Sequence, residues 1–267
     1  MLEHDLEQVA ELLLAARYAV AFTGAGISTP SGIPDYRSPG TGLWEKMDPM
    51  AVASLRAFRA DPVAFYRAMR PFAAKLLAAQ PNPAHLALAA LERDGLLACV
   101  ITQNVDHLHR AAGSRCVWEL HGDLREAVCV NCKRILPADG LWHRFLQEGI
   151  VPRCASCGRA LKPNLILFGE PLPRYIFLEA AGEAERCDLM LVVGASLEVA
   201  PACELPFVAL RHGARIVVLN STPTPADAQA RVVIRHDLAE VLPRLAEICR
   251  TRLRPLSSGA APSEEER

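Results

Sequence analysis

The apolar run Tyr18–Thr23 (YAVAFT) breaks directly into a small-residue turn, Gly24–Ser28 (GAGIS), and this junction restricts the fold more than any other part of the chain. An apolar run of that length, bounded by a glycine turn, reads as a buried strand. A strand buried on both faces needs helices above and below it, and open α/β sheets of that kind bind ligands beyond the carboxyl ends of their strands. Glycines let the backbone approach an anion closely, and turn amides can point at it, so the junction reads first as a nucleotide site. A second loop follows, Gly32–Arg37 (GIPDYR), stiffened by Pro34 and ending in an acid, an aromatic ring and a guanidinium. The dinucleotide fingerprint is incomplete. Gly24 and Gly26 fit its first two glycines, but Thr29 occupies the third position, Pro30 follows, and no second strand offers an acid about 20 residues on. A hydride-transferring dehydrogenase is therefore disfavoured.

Further apolar runs are expected as strands at Leu97–Thr102, Val117–Leu120, Leu165–Phe168, Leu189–Gly194, Ile216–Leu219 and Val232–Ile234. Several lack alternation, and helical segments lie between them at Pro83–Arg93, Pro173–Glu185, Pro201–His212 and Leu238–Arg252. This is the pattern of a doubly wound α/β fold. Two stretches interrupt it, a Pro- and Ala-rich helical region from about 39 to 80 and a segment from 122 to 161 that holds paired cysteines; together they are expected to form a smaller domain. With 267 residues and 51% hydrophobic content, one large domain carrying a small one fits the length. The large domain is expected to comprise 1–38, 81–121 and 162–254, and the polar segment 255–267 a disordered tail.

A formal net charge of −1 gives no general drive toward nucleic acid or anionic membrane. The first eight residues hold three acids and no Lys or Arg, the wrong polarity for a targeting sequence, and Leu6, Val9, Leu13 and Ala16 are spaced for an amphipathic helix instead. No apolar run approaches membrane-spanning length. Five of the nine cysteines lie in apolar segments as small core residues would, which fits a reducing cytoplasm.

The other four are paired. Cys129 and Cys132 form one CxxC, and Cys154 and Cys157 form another after a spacer of 21 residues. Two such knuckles in series turn four thiolates toward one point, at about 2.3 Å from a tetrahedral zinc with no position left for water. The expected role of the ion is structural.

Polar residues gather at predicted strand ends. Gln103, Asn104 and Asp106 follow one strand, His121 and Gly122 another, and Asn220 a third; Phe168, Gly169 and Glu170 end a further run, and Gly194–Pro201 (GASLEVAP) is another small-residue turn. Each alone can be a cap or a turn. His107 and His109 read as helix-start residues rather than a metal pair. A histidine at a strand end can be a general base near neutral pH or simply structural. There is no GxSxG elbow, so chemistry must run through a bound cofactor.

Taken in order, GAGIS, GIPDYRS, TQNVD, HG, the two CxxC pairs, FGE and GASL resemble the sirtuin (Sir2) family of NAD-dependent protein deacylases over roughly Leu6 to Arg252. The resemblance implies a Rossmann-like parallel sheet with a small domain made of a helical insertion and a zinc ribbon. It implies NAD contacts from Gly24, Ala25, Gly26, Ser28, Thr29, Asp35, Tyr36, Arg37, Gln103, Asn104, Val105 and Asp106, with Gly194, Ala195, Ser196 and Asn220 toward the adenosine. It implies that Phe168, Gly169, Glu170 and Val199 flank an extended acyl-lysine peptide that adds itself as a strand. It also implies the chemistry: the acyl oxygen attacks the ribose carbon freed of nicotinamide. His121 then acts as base on the ribose hydroxyls, with Asn104 helping to place substrate or water. The products are free lysine, nicotinamide and O-acyl-ADP-ribose. NAD is consumed as co-substrate, so hydride geometry is not required.

Three positions depart from the pattern. Tyr36 stands where Phe is usual, Ala195 replaces a common Ser or Thr, and Tyr66 is followed three residues later by Met69 rather than the Arg of members that prefer acidic acyl groups. A neutral acyl chain such as acetyl is therefore expected, with Arg70 one position off. Two rival readings are mono-ADP-ribosyl transfer to protein, which shares the first half of the mechanism, and a non-catalytic NAD or ADP-ribose sensor, which has no need of the base.

Overall fold

The computed structural model describes residues 1–35, 42 and 48–253. Tyr36, Arg37 and the segment 255–267 lie outside the described residues. In chain order the elements are α1 (Leu2–Ala15), β1 (Ala19–Thr23), α2 (Pro49–Val52), α3 (Leu55–Ala60), α4 (Pro62–Ala78) and α5 (Pro83–Arg93). Then come β2 (Cys99–Thr102), α6 (Leu108–Ala111), β3 (Val117–Glu119), β4 (Gly122–Cys129), β5 (Ile135–Pro137) and α7 (Leu141–Glu148). The chain ends with β6 (Leu161–Leu165), α8 (Arg174–Arg186), β7 (Leu189–Val193), α9 (Leu205–Arg211), β8 (Arg215–Leu219), β9 (Val232–Ile234) and α10 (Leu238–Leu253).

Six strands form a parallel sheet in the order β3-β2-β1-β7-β8-β9. Every residue of β1, β2 and β7 is buried, as unalternating apolar runs require. One face packs on α1, α5 and α10 through Leu6, Leu13, Leu88, Leu91 and Leu242; the other packs on α8 and α9 through Phe22, Ala180, Ala184, Met190 and Leu205. The sheet is doubly wound, as expected. Helix starts follow the local chemistry: Asn82 Oδ1 accepts from Ala84 N at 2.9 Å before Pro83, and Asp61 Oδ1 accepts from Ala64 N at 2.9 Å before Pro62.

The strand order reverses between β1 and β7, and there the two following turns touch. Gly24 N donates to Val193 O at 3.1 Å and Gly26 N to Gly194 O at 2.9 Å. Gly194 lies at φ +59, and a Cβ on it would stand 2.4 Å from Ile27 N. No other residue fits that contact.

The second sheet is antiparallel, β5-β4-β6, with α7 beside it and α3 and α4 of the helical insertion above it. Its core is aromatic where the large sheet is aliphatic: Phe58 and Phe65 meet edge to face at 5.2 Å, and the Tyr66 and Phe145 rings, tilted to each other, lie 4.8 Å apart. The strand expected at Leu165–Phe168 is not in the parallel sheet. The strand is β6, and it pairs with β4. The apolar run after it is used as a junction: Ile166 N donates to His121 O at 2.8 Å, Phe168 N to Ala53 O at 3.0 Å, and Leu55 N to Phe168 O at 3.0 Å. Hydrophobic periodicity cannot tell such a junction from a sheet strand, because both are buried apolar runs.

Candidate functional site

A cavity of about 560 Å³ opens at the carboxyl edge of the parallel sheet, over the point where the strand order reverses. The turn after β1 supplies Gly24, Ala25 and Gly26, and Asp35 follows. The loop after β2 supplies Gln103, Asn104 and Val105, and the residue past β3 supplies His121. From the far side come Ala195, Ser196 and Val199 after β7, and Asn220 after β8. Phe168, Gly169 and Glu170 close the site from the small domain. Of the expected residues, Ser28, Thr29, Asp106 and Gly194 are not among those that line it.

Their bonds show what they do there. Ser28 Oγ donates to Asp106 Oδ2 at 2.6 Å, and Asn104 Nδ2 donates to Gly24 O at 3.0 Å and to Ser28 Oγ at 3.2 Å. The loop after β2 is thus tied to the glycine turn, and the Asn104 amide nitrogen is committed to that turn. Thr29 Oγ1 donates to Gly26 O at 3.0 Å. Asn82, absent from the expected set, supports the turn from α5: its Nδ2 donates to Ile27 O at 2.8 Å. A cap residue signals only its own helix in sequence, so this contact was hidden. His85 and His109 meet edge to face behind the turn with centroids 4.9 Å apart, and burial lowers their pKa values to about 4 and about 3 respectively, so both are neutral. His109 Nε2 lies 2.9 Å from Thr23 Oγ1, which itself donates to Thr102 Oγ1; the ring nitrogen is therefore the donor.

His121 Nδ1 lies 2.8 Å from Gln103 O. A carbonyl only accepts, so Nδ1 carries the hydrogen and Nε2 is left as the basic nitrogen. Burial lowers the pKa of the ring, against a smaller opposing effect of the Gln103 carbonyl. Gly122, at φ +92, follows directly, and a Cβ there would stand 2.0 Å from Asn164 O. The turn that carries the base from one sheet to the other therefore requires glycine.

Two ion clusters flank this residue. Lys162, 2% exposed, places Nζ 2.9 Å from Glu170 Oε2, which also accepts from Leu167 N at 2.9 Å. Glu170 is turned toward its own loop and holds the Leu167–Glu170 bend. His107, at φ +61, lies between Glu119 and Asp123. It does not cap α6, where Asp106 Oδ1 accepts from Leu108 N at 3.0 Å instead. Neither cluster is visible in sequence, because each pairs residues whose proximity comes from the fold.

The wall toward the small domain is apolar, with Phe65, Met69, Leu76, Trp142 and Phe145 among its residues. Its polar atoms are spent internally: Tyr66 Oη donates to Leu161 O at 2.6 Å and Trp142 Nε1 to Leu124 O at 2.5 Å. Arg70 turns away, donating to Leu146 O with its guanidinium 6.0 Å from the Phe145 ring centroid.

Away from the cavity, Cys129, Cys132, Cys154 and Cys157 converge. Cys129 Sγ lies 3.4 Å from Cys157 Sγ, and Cys132 Sγ 3.6 Å from Cys154 Sγ. These separations are far beyond a disulfide and close to the edge of a thiolate tetrahedron, about 3.8 Å for bonds of about 2.3 Å. Amides of Ser156 and Cys157 donate to Cys154 and pull its pKa down to about 6. The four sulfurs can hold a metal ion.

The model of the Sir2 family matches residues 24–201. An NAD-dependent protein deacylase 2 of Archaeoglobus fulgidus is 45% identical over 250 residues, covering 92% of this chain and 96% of the relative. An NAD-dependent protein deacetylase of Sulfurisphaera tokodaii is 42% identical, covering 93% and 97%. Among solved structures, a Sir2 enzyme with 45% identity superposes with a TM-score of 0.88 over 94% of this chain and 100% of the other. A Sir2 protein with a deacetylated peptide and 3'-O-acetyl ADP-ribose is 40% identical, with a TM-score of 0.85 over 91% and 98%. The ordered motifs, the sheet that reverses over the glycine turn and these likenesses agree, and the chain belongs to the Sir2 family.

Proposed function

We propose that the chain is an NAD-dependent protein lysine deacylase, which moves the acyl group of an acyl-lysine onto the ADP-ribose of NAD, with one water consumed, and releases nicotinamide and free lysine. The observation that carries this reading is His121, whose Nδ1 is held by the Gln103 carbonyl so that a neutral Nε2 serves the cavity at the glycine-turn edge. A pure binder has no use for that base. The likeness to relatives named deacylases and to a structure holding an acetyl ADP-ribose supports the same reading.

Gly24, Ala25, Gly26, Asp35, Gln103 and Val105 would hold the nicotinamide and phosphate end of NAD, and Ala195, Ser196 and Asn220 the adenosine end. Glycines 24 and 26, locked to Gly194, leave a turn open enough for the backbone to meet a pyrophosphate. Bound NAD supplies a ribose carbon that becomes electrophilic as nicotinamide leaves. His121 then takes a proton from a ribose hydroxyl through Nε2, and the Gln103 carbonyl stabilises the imidazolium that forms. Ser28, Thr29 and Asp106 act by holding the turn and the loop after β2. Phe168, Gly169 and Val199 would flank the peptide, with Glu170 fixing that loop through Lys162. Among the described residues the apolar wall offers no cation to an acidic acyl group, because Met69 stands there and Arg70 turns outward, which favours a neutral acyl such as acetyl. The four cysteines would hold a structural zinc ion. The free thiols fit a reducing compartment, with the cytoplasm as the proposed location; among the described residues no helix is long and apolar enough to cross a membrane.

The test is mass spectrometry of an acetyl-lysine peptide incubated with the purified protein, with and without NAD. Acetyl loss only with NAD, together with O-acetyl-ADP-ribose, is the expected result. An unchanged peptide with ADP-ribose attached to protein would favour transferase activity instead.

A further inference from the structure

The backbone changes domain at His121. Upstream, Leu120 N donates to Thr102 O at 2.9 Å at the edge of the parallel sheet; downstream, Gly122 opens β4 and pairs with Leu165 in the small sheet. The base thus sits on the covalent crossover between two sheets, and any flexing of that crossover moves Nε2 relative to the cavity. His107 spans the crossover. Its Nδ1 lies 2.9 Å from Glu119 Oε1, two residues before the base, and its Nε2 lies 2.7 Å from Asp123 Oδ1, two residues after it. We propose that His107 is a positioning residue for the reaction, an ionic staple that holds the chain on both sides of His121 and so fixes the base.

The conformation of His107 supports this role. At φ +61 it occupies a region that side chains seldom adopt, and such strain persists only where surrounding contacts determine it. Each ring nitrogen faces a carboxylate oxygen, at 2.9 and 2.7 Å, and a carboxylate only accepts, so both contacts together require the doubly protonated, charged ring. The other charges facing the cluster are Arg110, whose Nε is 3.5 Å from Glu119 Oε2, and Arg125, whose Nε bonds Asp123 Oδ2 at 2.7 Å and whose guanidinium lies 3.4 Å from Glu119. Asp106, next in chain, is turned to Ser28. With both carboxylates already facing guanidinium groups, the cluster is an ion network rather than a cation site.

Burial opposes the charge on His107, but Asp123 and Glu119 outweigh it and raise the pKa from 6.5 to about 9. A raised pKa means that the contribution is complete below pH 6.5 and is lost as pH rises through about 9. His121 shifts the other way, so near neutral pH the base is uncharged while the staple is charged.

The proposal rests on the deacylase reading, so wild-type turnover of an acetyl-lysine peptide is measured first. His107→Gly is the main variant, because glycine adopts this φ without strain. The expected result near neutral pH is a kcat about tenfold lower, since small displacements of a catalytic group carry costs of that order. The KM for NAD should stay within about twofold, which separates loss of chemistry from loss of binding. The alkaline fall of the wild-type kcat near pH 9 should be absent in the variant, and Asp123→Asn should lower the pH of that fall. An unchanged kcat and alkaline limb in His107→Gly would overturn the proposal. So would an equal loss of NAD affinity, which would place the effect at Asp106. If the wild type turns over no acyl peptide, the deacylase reading fails, and the melting temperatures of wild type and His107→Gly from neutral to alkaline pH then decide the staple. A gap that closes above about pH 9 supports it, and no gap at any pH removes it.

Discussion

The two sheets of this molecule are held together by different physics. The parallel sheet has an aliphatic core whose central strands are wholly buried between helices, so its stability comes from many equivalent apolar contacts. The small sheet has three strands, an aromatic cluster, a buried Lys–Glu pair and four convergent cysteines. Too few strands and too little core are available there, and a few specific contacts replace the many. The lesson is about vulnerability: one substitution should erode the large domain locally but can remove an organising centre of the small one.

The largest expected effect is on the cysteines. If the four cysteines hold the proposed zinc ion, Cys129→Ala should release it; a structural zinc contributes on the order of 10 kcal/mol to the ordering of such a site. Metal analysis should find the ion lost, and limited proteolysis should cut between 122 and 165 while the large domain stays protected. Global unfolding instead would mean that the two domains are one cooperative unit.

Next is Lys162→Met, which strands the Glu170 carboxylate in a largely buried place. About 3–5 kcal/mol should be lost in chemical denaturation, and adding Glu170→Gln should restore most of it. Equal loss in the single and double variants would show that the methylenes of Lys162, rather than its charge, matter. In the large domain Leu191→Ala, in the middle of a wholly buried strand, should cost about 3 kcal/mol with no local opening. The smallest effect is Asn82→Ala, about 1 kcal/mol from the α5 cap. Because Asn82 also holds Ile27 O, that variant should weaken ADP-ribose binding, measured by calorimetry, more than its stability loss suggests.

The same contrast governs how much could be read from the chain. The doubly wound sheet was legible because each of its strands is a local apolar run with a turn at its carboxyl end, as at Tyr18–Ser28. The cysteine site was legible from spacing alone, and the cavity-lining positions of Gly24, Gln103, His121, Ala195 and Asn220 followed from their places at strand ends. Leu165–Phe168 reads as a strand of the parallel sheet although it ends β6 and forms the junction after it, because the pattern shows burial but not what covers it. Lys162 with Glu170, His107 with Glu119 and Asp123, and Asn82 with Ile27 were invisible, since each pairing is created by tertiary approach. Glu170 lines the cavity as its place after Gly169 suggests, but its pairing with Lys162 is set by the fold.

The proposed deacylation depends on His121 as the base. The most direct measurement compares NAD-dependent deacetylation by the wild type and His121→Ala, alongside the melting temperature and metal content of each. A loss of about 100-fold to 10,000-fold is expected in the variant, the range for a general base, with folding and metal unchanged. Turnover within about tenfold of wild type, in a folded and metal-loaded variant, would contradict it.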